Sequence, residues 1–194
     1  MVNLIGLKKL KTAVFISGKG SNLKKLIKFS LTKKSPIKIV LVVSNNYKAE
    51  GLNFAKKFGI KRKIFNLHNT QIDENKILKY LKKNQIKLIC LAGFMKILSK
   101  NFIKKFNGKI LNIHPSLLPK YKGLNTHSRA LKNKEKFSGC TVHFVSPKLD
   151  SGKIILQKRV YIKKNDNPEK LGKRILKQEH ILYPQAIMKL FSNP

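Results

Sequence analysis

The chain has 194 residues, with 43 Lys or Arg against eight Asp or Glu, giving a formal net charge of +35. That length suits a single domain, residues 1–194, burying roughly two thirds of its unfolded surface, and no segment approaches the roughly 20 apolar residues needed to span a bilayer. The charge invites a nucleic-acid reading through phosphate neutralisation, but only Arg62, Arg129, Arg159 and Arg174 are arginines and the lysines form no block, so this reading requires no nucleic-acid partner.

Abundant Lys, Asn, Ile and Phe with no Trp is the pattern of codons drawn from an A+T-rich genome. Cys90 and Cys140 lie inside apolar runs, where a free thiol behaves as a small buried hydrophobe, as expected in a reducing compartment. The apolar stretch Met1 to Leu7 is short and interrupted by Asn3 and Gly6, which does not fit a signal peptide. The expectation is a cytoplasmic protein with no membrane partner.

The first two thirds alternate β-branched runs with amphipathic stretches, the pattern of βαβ units on a parallel sheet. Thr12 to Ser17 reads as the first strand, and Ser21 to Phe29 as a helix with Leu23, Leu26 and Ile27 on one face. Ile37 to Val43 is a strand, Ala49 to Phe58 a helix stopped by Gly59, and Arg62 to Phe65 a weak strand. Asp73 to Lys83 is helical, Ile86 to Ala92 is the most apolar strand, and Lys109 to Ile113 follows a short helix near Ser99 to Phe106. Leu117 to Asn125, around Pro119 and Gly123, reads as a functional loop in which an X-Pro bond such as Leu118-Pro119 is cis. Thr141 to Val145 and Lys153 to Ile162 read as two further strands, and Pro168 to Leu190 as a long helix broken or bent near Pro184.

Three segments carry chemistry. Ser17-Gly18-Lys19-Gly20-Ser21-Asn22 joins a strand to a helix, so its backbone N–H groups and the helix dipole can receive a phosphate, although such a turn can also be only a turn. Asn112 and His114, two apart at the C-terminal end of a strand, project to one face. An amide that donates to a developing oxyanion and an imidazolium that supplies a proton are what acyl transfer needs; the plainer alternative is a turn amide and a core histidine. Asp150, in Leu149-Asp150-Ser151-Gly152, is either a solvated turn aspartate or, if near His114, the charge that keeps that ring a proton donor. His143 is either structural or part of the same pocket, while Glu179 and His180 read as a solvated helix face. The histidines and cysteines show no metal-ligand spacing, so no metal site is expected.

With these residues in view, the chain resembles the 10-formyltetrahydrofolate-dependent phosphoribosylglycinamide formyltransferases of bacterial type from about Ala13 to Ala186. The likeness rests on Ile16-Ser17-Gly18 with Gly20-Ser21-Asn22, Leu91-Ala92-Gly93-Phe94-Met95, Asn112 to Pro119 with Lys120-Tyr121, Val142-His143-Phe144-Val145, Leu149-Asp150 with Gly152, and Gln178-Glu179-His180. The resemblance implies an α/β formyltransferase fold: a Rossmann-like, mostly parallel sheet flanked by helices, with antiparallel strands toward the C-terminus. It implies that Gly20, Ser21 and Asn22 hold the phosphate of glycinamide ribonucleotide and that Glu179 contacts the same substrate. Met95, Lys96, Ile97 and Leu98 would border the folate. Asn112 would hold the formyl oxygen, His114 would act as proton donor or oxyanion stabiliser, and Asp150 would support a charged His114 and help relay the proton through water. The implied activity is formyl transfer from 10-formyltetrahydrofolate, as co-substrate and without metal, to the ribonucleotide amine in purine synthesis, by a monomer or homodimer.

Two positions depart from the family pattern. Where bacterial members usually carry an arginine ahead of the Leu-Ala-Gly-Phe-Met motif and another just after it, this chain has Thr70 and Lys96. Lysine keeps the charge without the planar fork and threonine keeps neither, so a folate contact from Thr70 would need a neighbouring lysine. The alternatives are a methionyl-tRNA formyltransferase, for which the chain lacks room for a C-terminal tRNA-binding domain and reads Leu-Asn-Thr-His after Gly123, and a formyltetrahydrofolate hydrolase, whose N-terminal regulatory domain Met1 to Lys11 cannot contain. A basic nucleic-acid-binding protein would need exposed aromatics among its lysines, whereas most phenylalanines here occupy apolar periodic positions.

Overall fold

Continuous apolar runs of strand length mark strands covered on both faces. The computed structural model, which describes residues 9–65 and 70–192, shows the layers that cover them. In chain order the elements are β1 (Leu10–Ile16), α1 (Ser21–Ser30), β2 (Ile37–Ser44), α2 (Gly51–Lys57), β3 (Lys61–Ile64), α3 (Thr70–Lys83), β4 (Leu88–Leu91), α4 (Lys100–Lys105), β5 (Lys109–His114), α5 (Thr126–Lys132), β6 (Phe137–Phe144), β7 (Ile154–Tyr161) and α6 (Pro168–Ser192). The strands form one seven-stranded sheet in the order β3-β2-β1-β4-β5-β6-β7. From β3 to β5 neighbours are parallel, and β6 and β7 add to the β5 side antiparallel. This is the mostly parallel α/β sheet with antiparallel C-terminal strands that the sequence implied.

Alternation along β1 divides the core into two layers. Val14 and Ile16 pack with residues of α1, α2 and α6 such as Leu23, Leu52 and Ile187. Ala13 and Phe15 pack on the other face with Ile77 and Leu81 of α3 and Phe102 of α4. The edge strand β3 reads Lys-Arg-Lys-Ile and is exposed throughout, and its charges discourage pairing with another chain.

The last helix ties the two halves of the sheet together. Tyr183 is fully buried, and its hydroxyl lies 3.0 Å from the Leu91 carbonyl oxygen and 3.1 Å from that of Leu111, sharing its proton between the neighbouring strands β4 and β5. Cys90 and Cys140 are buried free thiols, both pushed up to about 12 chiefly by burial, which makes them inert packing groups rather than nucleophiles.

Three sequence expectations are corrected. Of a break or a bend at Pro184, the break does not occur, and the helix continues through it; the missing N–H and ring clash cost about 3 kcal/mol in an isolated helix, but Leu182, Tyr183, Ala186 and Ile187 are all buried around it and hold the turn in place. Helix α5 was not anticipated: it has only seven residues, and its N-cap Asn125 sits in the left-handed region with no side-chain cap. Strand β6 begins at Phe137, not Thr141, because Gly139 lets its backbone approach β7, where an added Cβ would lie 2.0 Å from the Lys158 carbonyl oxygen.

The connection from β7 to α6 is pinned by charge. Arg174 Nη1 donates to Asp166 Oδ1 at 2.6 Å, Nη2 contacts Asp166 Oδ2, and the Lys163 N–H donates to the same carboxylate at 2.8 Å. The Arg174 contact, foremost, holds the Asp166 carboxyl at about 2, down from 3.8. A carboxyl with a depressed folded-state value stabilises the fold above its unfolded value and loses that contribution as the pH falls through the folded one. Asp166→Asn is therefore expected to lower Tm at neutral pH, and the difference from the parent chain should close between about 3.8 and about 2, as thermal unfolding across that range will show.

Candidate active site

The chain steps outward from β1 to β2 and β3 and then returns to place β4 on the other side of β1. Ligands of open α/β sheets bind at the C-terminal strand ends of such a switch point. Here Ser17 joins the two sides: its N–H donates to the Gly93 carbonyl at 3.1 Å, and its Oγ accepts from the Met95 N–H at 2.7 Å. Gly20 has φ 72°, and a Cβ there would sit 2.5 Å from the Gly51 Cα. Gly20 and Gly51 together let the loop lie directly on the start of α2. The loop then enters α1, whose first N–H groups have no intrahelical acceptor, an arrangement suited to an anion.

Asn22 is buried at that helix start. Its Nδ2 donates to Glu179 Oε2 at 2.7 Å, while its Oδ1 has no protein partner. Glu179 is buried as well, which rules out a solvated face for it; burial pushes its carboxyl up, opposed by the Asn22 hydrogen bond.

The second cluster forms where β5 ends against β6. In the antiparallel register Asn112 stands opposite His143 and His114 opposite Thr141, so the side chains of each pair share one face. Asn112 Nδ2 lies 3.2 Å from His143 Nε2, and His143 Nδ1 lies 2.8 Å from the Phe144 carbonyl oxygen. The Thr141 hydroxyl donates to the Ser116 carbonyl at 2.7 Å and accepts from the Leu118 N–H at 3.1 Å, holding the loop after β5. The Leu118-Pro119 peptide in that loop is cis.

Asp150 is no solvated turn residue. Its side chain is 7% exposed, with Oδ2 3.4 Å from His114 Nδ1 and Oδ1 3.7 Å from His143 Nε2. The Gly123 N–H donates to Asp150 Oδ2 at 2.9 Å, and Gly152 permits the turn to hug β6, where a Cβ would lie 1.7 Å from the Phe144 carbonyl oxygen. His114 Nε2–H donates to the Tyr121 carbonyl at 2.9 Å. Both neighbours of the His114 ring can only accept, so the surroundings complement a doubly protonated imidazole. Burial, foremost, pushes His143 down, and the nearby His114 adds to that.

Both clusters line one cavity of about 930 Å³, within the range that encloses small-molecule ligands. Gly20, Ser21, Asn22 and Glu179 line it, as do Asn112, His114, His143 and Asp150. Met95, Lys96, Ile97 and Leu98 border the rest. Met95 and Ile97 are exposed, whereas Leu98 is buried and belongs to the core beneath. Thr70 opens α3, but its side chain lies outside the described residues. Sequence reasoning missed Leu124, His127 and Gly172. Gly172 makes room for the His127 ring, which a Cβ would approach to 3.1 Å. The stripe Pro168, Gly172, Leu176 and Glu179 on one face of α6 was a readable signal for this wall. Among the described residues no cluster of His, Cys, Asp or Glu could hold a metal ion, and no helix is long and apolar enough to cross a membrane.

The chain is similar to known proteins over most of its length. The formyl transferase family matches residues 10–187. A phosphoribosylglycinamide formyltransferase of Haemophilus influenzae is 44% identical over 180 residues, covering 91% of this chain and 85% of that protein. The human trifunctional purine biosynthetic protein adenosine-3 is 43% identical over 188 residues, covering 95% of this chain; the chain spans only 19% of that longer relative. The crystal structure of phosphoribosylglycinamide formyltransferase from Brucella melitensis superposes with a TM-score of 0.89 at 42% identity, covering 94% of this chain and 96% of that one. The chain belongs to the formyl transferase family.

Proposed function

We propose that the chain, acting as one formyltransferase domain over residues 1–194, transfers the formyl group of 10-formyltetrahydrofolate to the amine of glycinamide ribonucleotide. The observation that carries this reading is the single cavity joining an anion-binding helix start to an amide, an imidazole and a carboxylate. The names of the relatives support formyl transfer to the ribonucleotide. The phosphate sits at Gly20, Ser21 and the start of α1, Asn22 and Glu179 receive the polar groups of the glycinamide ribonucleotide, and the exposed apolar side chains of Met95 and Ile97 cover the flat pterin. Thr70 offers no charge for the folate, and Lys96 and other lysines supply it.

The amine attacks the formyl carbon, and its C–N bond forms as the carbonyl π electrons move to oxygen. Asn112 donates an amide N–H to that oxyanion. His114 gives up a proton, directly or through one water, to the folate nitrogen as its bond to the formyl carbon breaks. The proton lost by the attacking amine returns to His114. Asp150 stabilises the positive charge on His114 throughout and is the ordering point for a relaying water. The chemistry needs no metal, no nucleic acid and no membrane, and it suits the cytoplasm; either a monomer or a homodimer can carry it, since every group in this account comes from one chain.

Product analysis tests the assignment. Nuclease-treated protein given 10-formyltetrahydrofolate is expected to formylate glycinamide ribonucleotide, and to leave charged initiator tRNA unformylated. Formyl-tRNA, or formate released without acceptor, would point instead to the tRNA-directed or hydrolytic relatives.

The coupled acid makes a second expectation. Asp150→Asn and His114→Ala should each lower kcat by about a thousandfold while both substrates still bind. The double variant should be little slower than either single one, because groups acting as a unit are not additive; losses that multiply in steady-state assays would mean that the two act independently.

A further inference from the structure

An oxyanion can be stabilised only by the nitrogen end of an asparagine amide, yet the two ends are nearly equal in size. Nothing within β5 decides which end of Asn112 faces the reacting centre; its neighbour in β6 does. His143 Nδ1 lies 2.8 Å from the Phe144 carbonyl oxygen, which only accepts, so Nδ1 carries the ring hydrogen. In the neutral ring Nε2 is then a bare lone pair, 3.2 Å from Asn112 Nδ2. An amide oxygen there would set lone pair against lone pair, so the NH2 group faces His143 and one of its two hydrogens is committed.

The surroundings keep that ring neutral. It is 2% exposed, and burial disfavours its charged form most, reinforced by His114 in β5 and opposed by the Phe144 carbonyl and by Asp150 in the β6–β7 connection. Asp150 Oδ1 approaches Nε2 only to 3.7 Å, which leaves the closer contact to Asn112. A protonated His143 would lose Asn112 as a donor and compete with His114 for the Asp150 carboxylate.

The geometry points to neutral His143 as a positioning residue: by accepting one hydrogen of the Asn112 amide, it keeps the second N–H available to the formyl oxygen. Its consequence for rate rests on the formyl-transfer reading above, whereas the contact itself does not.

Nitrogen-15 NMR of the labelled full chain, without substrate, tests the contact. His143 should be found as the Nδ1–H tautomer, and the Asn112 side-chain NH2 signals should move on His143→Ala; an Nε2–H tautomer or unmoved signals would overturn the inference whatever the activity. Kinetics test the consequence in protein already seen to formylate the ribonucleotide. His143→Ala should lower kcat by about tenfold or more with KM for both substrates nearly unchanged. His143→Gln, whose side-chain oxygen can accept from Asn112, should recover most of that loss. Adding His143→Ala to Asn112→Ala should cost nothing further, since the first acts only through the second. A Gln variant as slow as the Ala variant, or losses that multiply, would sink the proposal. If the Ala variant does not fold, the parent tautomer and the Gln variant decide it. A parent chain that makes no formyl product would instead defeat the functional reading and leave the tautomer measurement to stand on its own.

Discussion

A buried carboxylate must have its lone pairs matched or its charge is expelled, and part of the cavity is arranged around that demand at Asp150. The Gly123 N–H and the His114 ring supply the match from the loop after β5 and from β5 itself. The turn that carries Asp150 must therefore close against β6, and the loop after β5 must fold back far enough for Gly123 to reach it. Satisfying one charge assembles the ends of β5 and β6 and two loops into one site.

The two parts of the sheet then hold different tasks. The parallel part ends in loops whose backbone N–H groups and helix dipole suit a phosphate. The antiparallel part brings side chains into direct opposition, the arrangement that sets an amide against an imidazole at a fixed spacing. Tyr183 of α6 bridges the neighbouring parallel strands β4 and β5. The same helix sends Glu179 to Asn22 at the start of α1, so one long element reaches both the strand core and the wall of the cavity.

The charge of +35 has a modest part in this. Lysines cover the surface, and the exposed strand β3 uses them to keep its edge unpaired. A positive surface attracts anions in a salt-dependent way.

Much of this was legible in the chain alone. Apolar runs of strand length located the parallel strands, because a strand covered on both faces must be apolar at every position. The spacing of Asn112 and His114 placed them on one strand face, since strand period is a local property. The strand-to-helix turn around Gly20 was legible, although not that it would lie against Gly51. The remainder depended on contacts distant in sequence. The burial of Asp150 and Glu179, the pairing of Asn112 with His143 and the passage of α6 through Pro184 each contradict or exceed what local propensity indicates. Local sequence determines which conformations a segment can adopt cheaply; which polar groups are buried together, and so which hydrogen each one keeps, is decided only when antiparallel register and helix packing bring separate segments within hydrogen-bond reach.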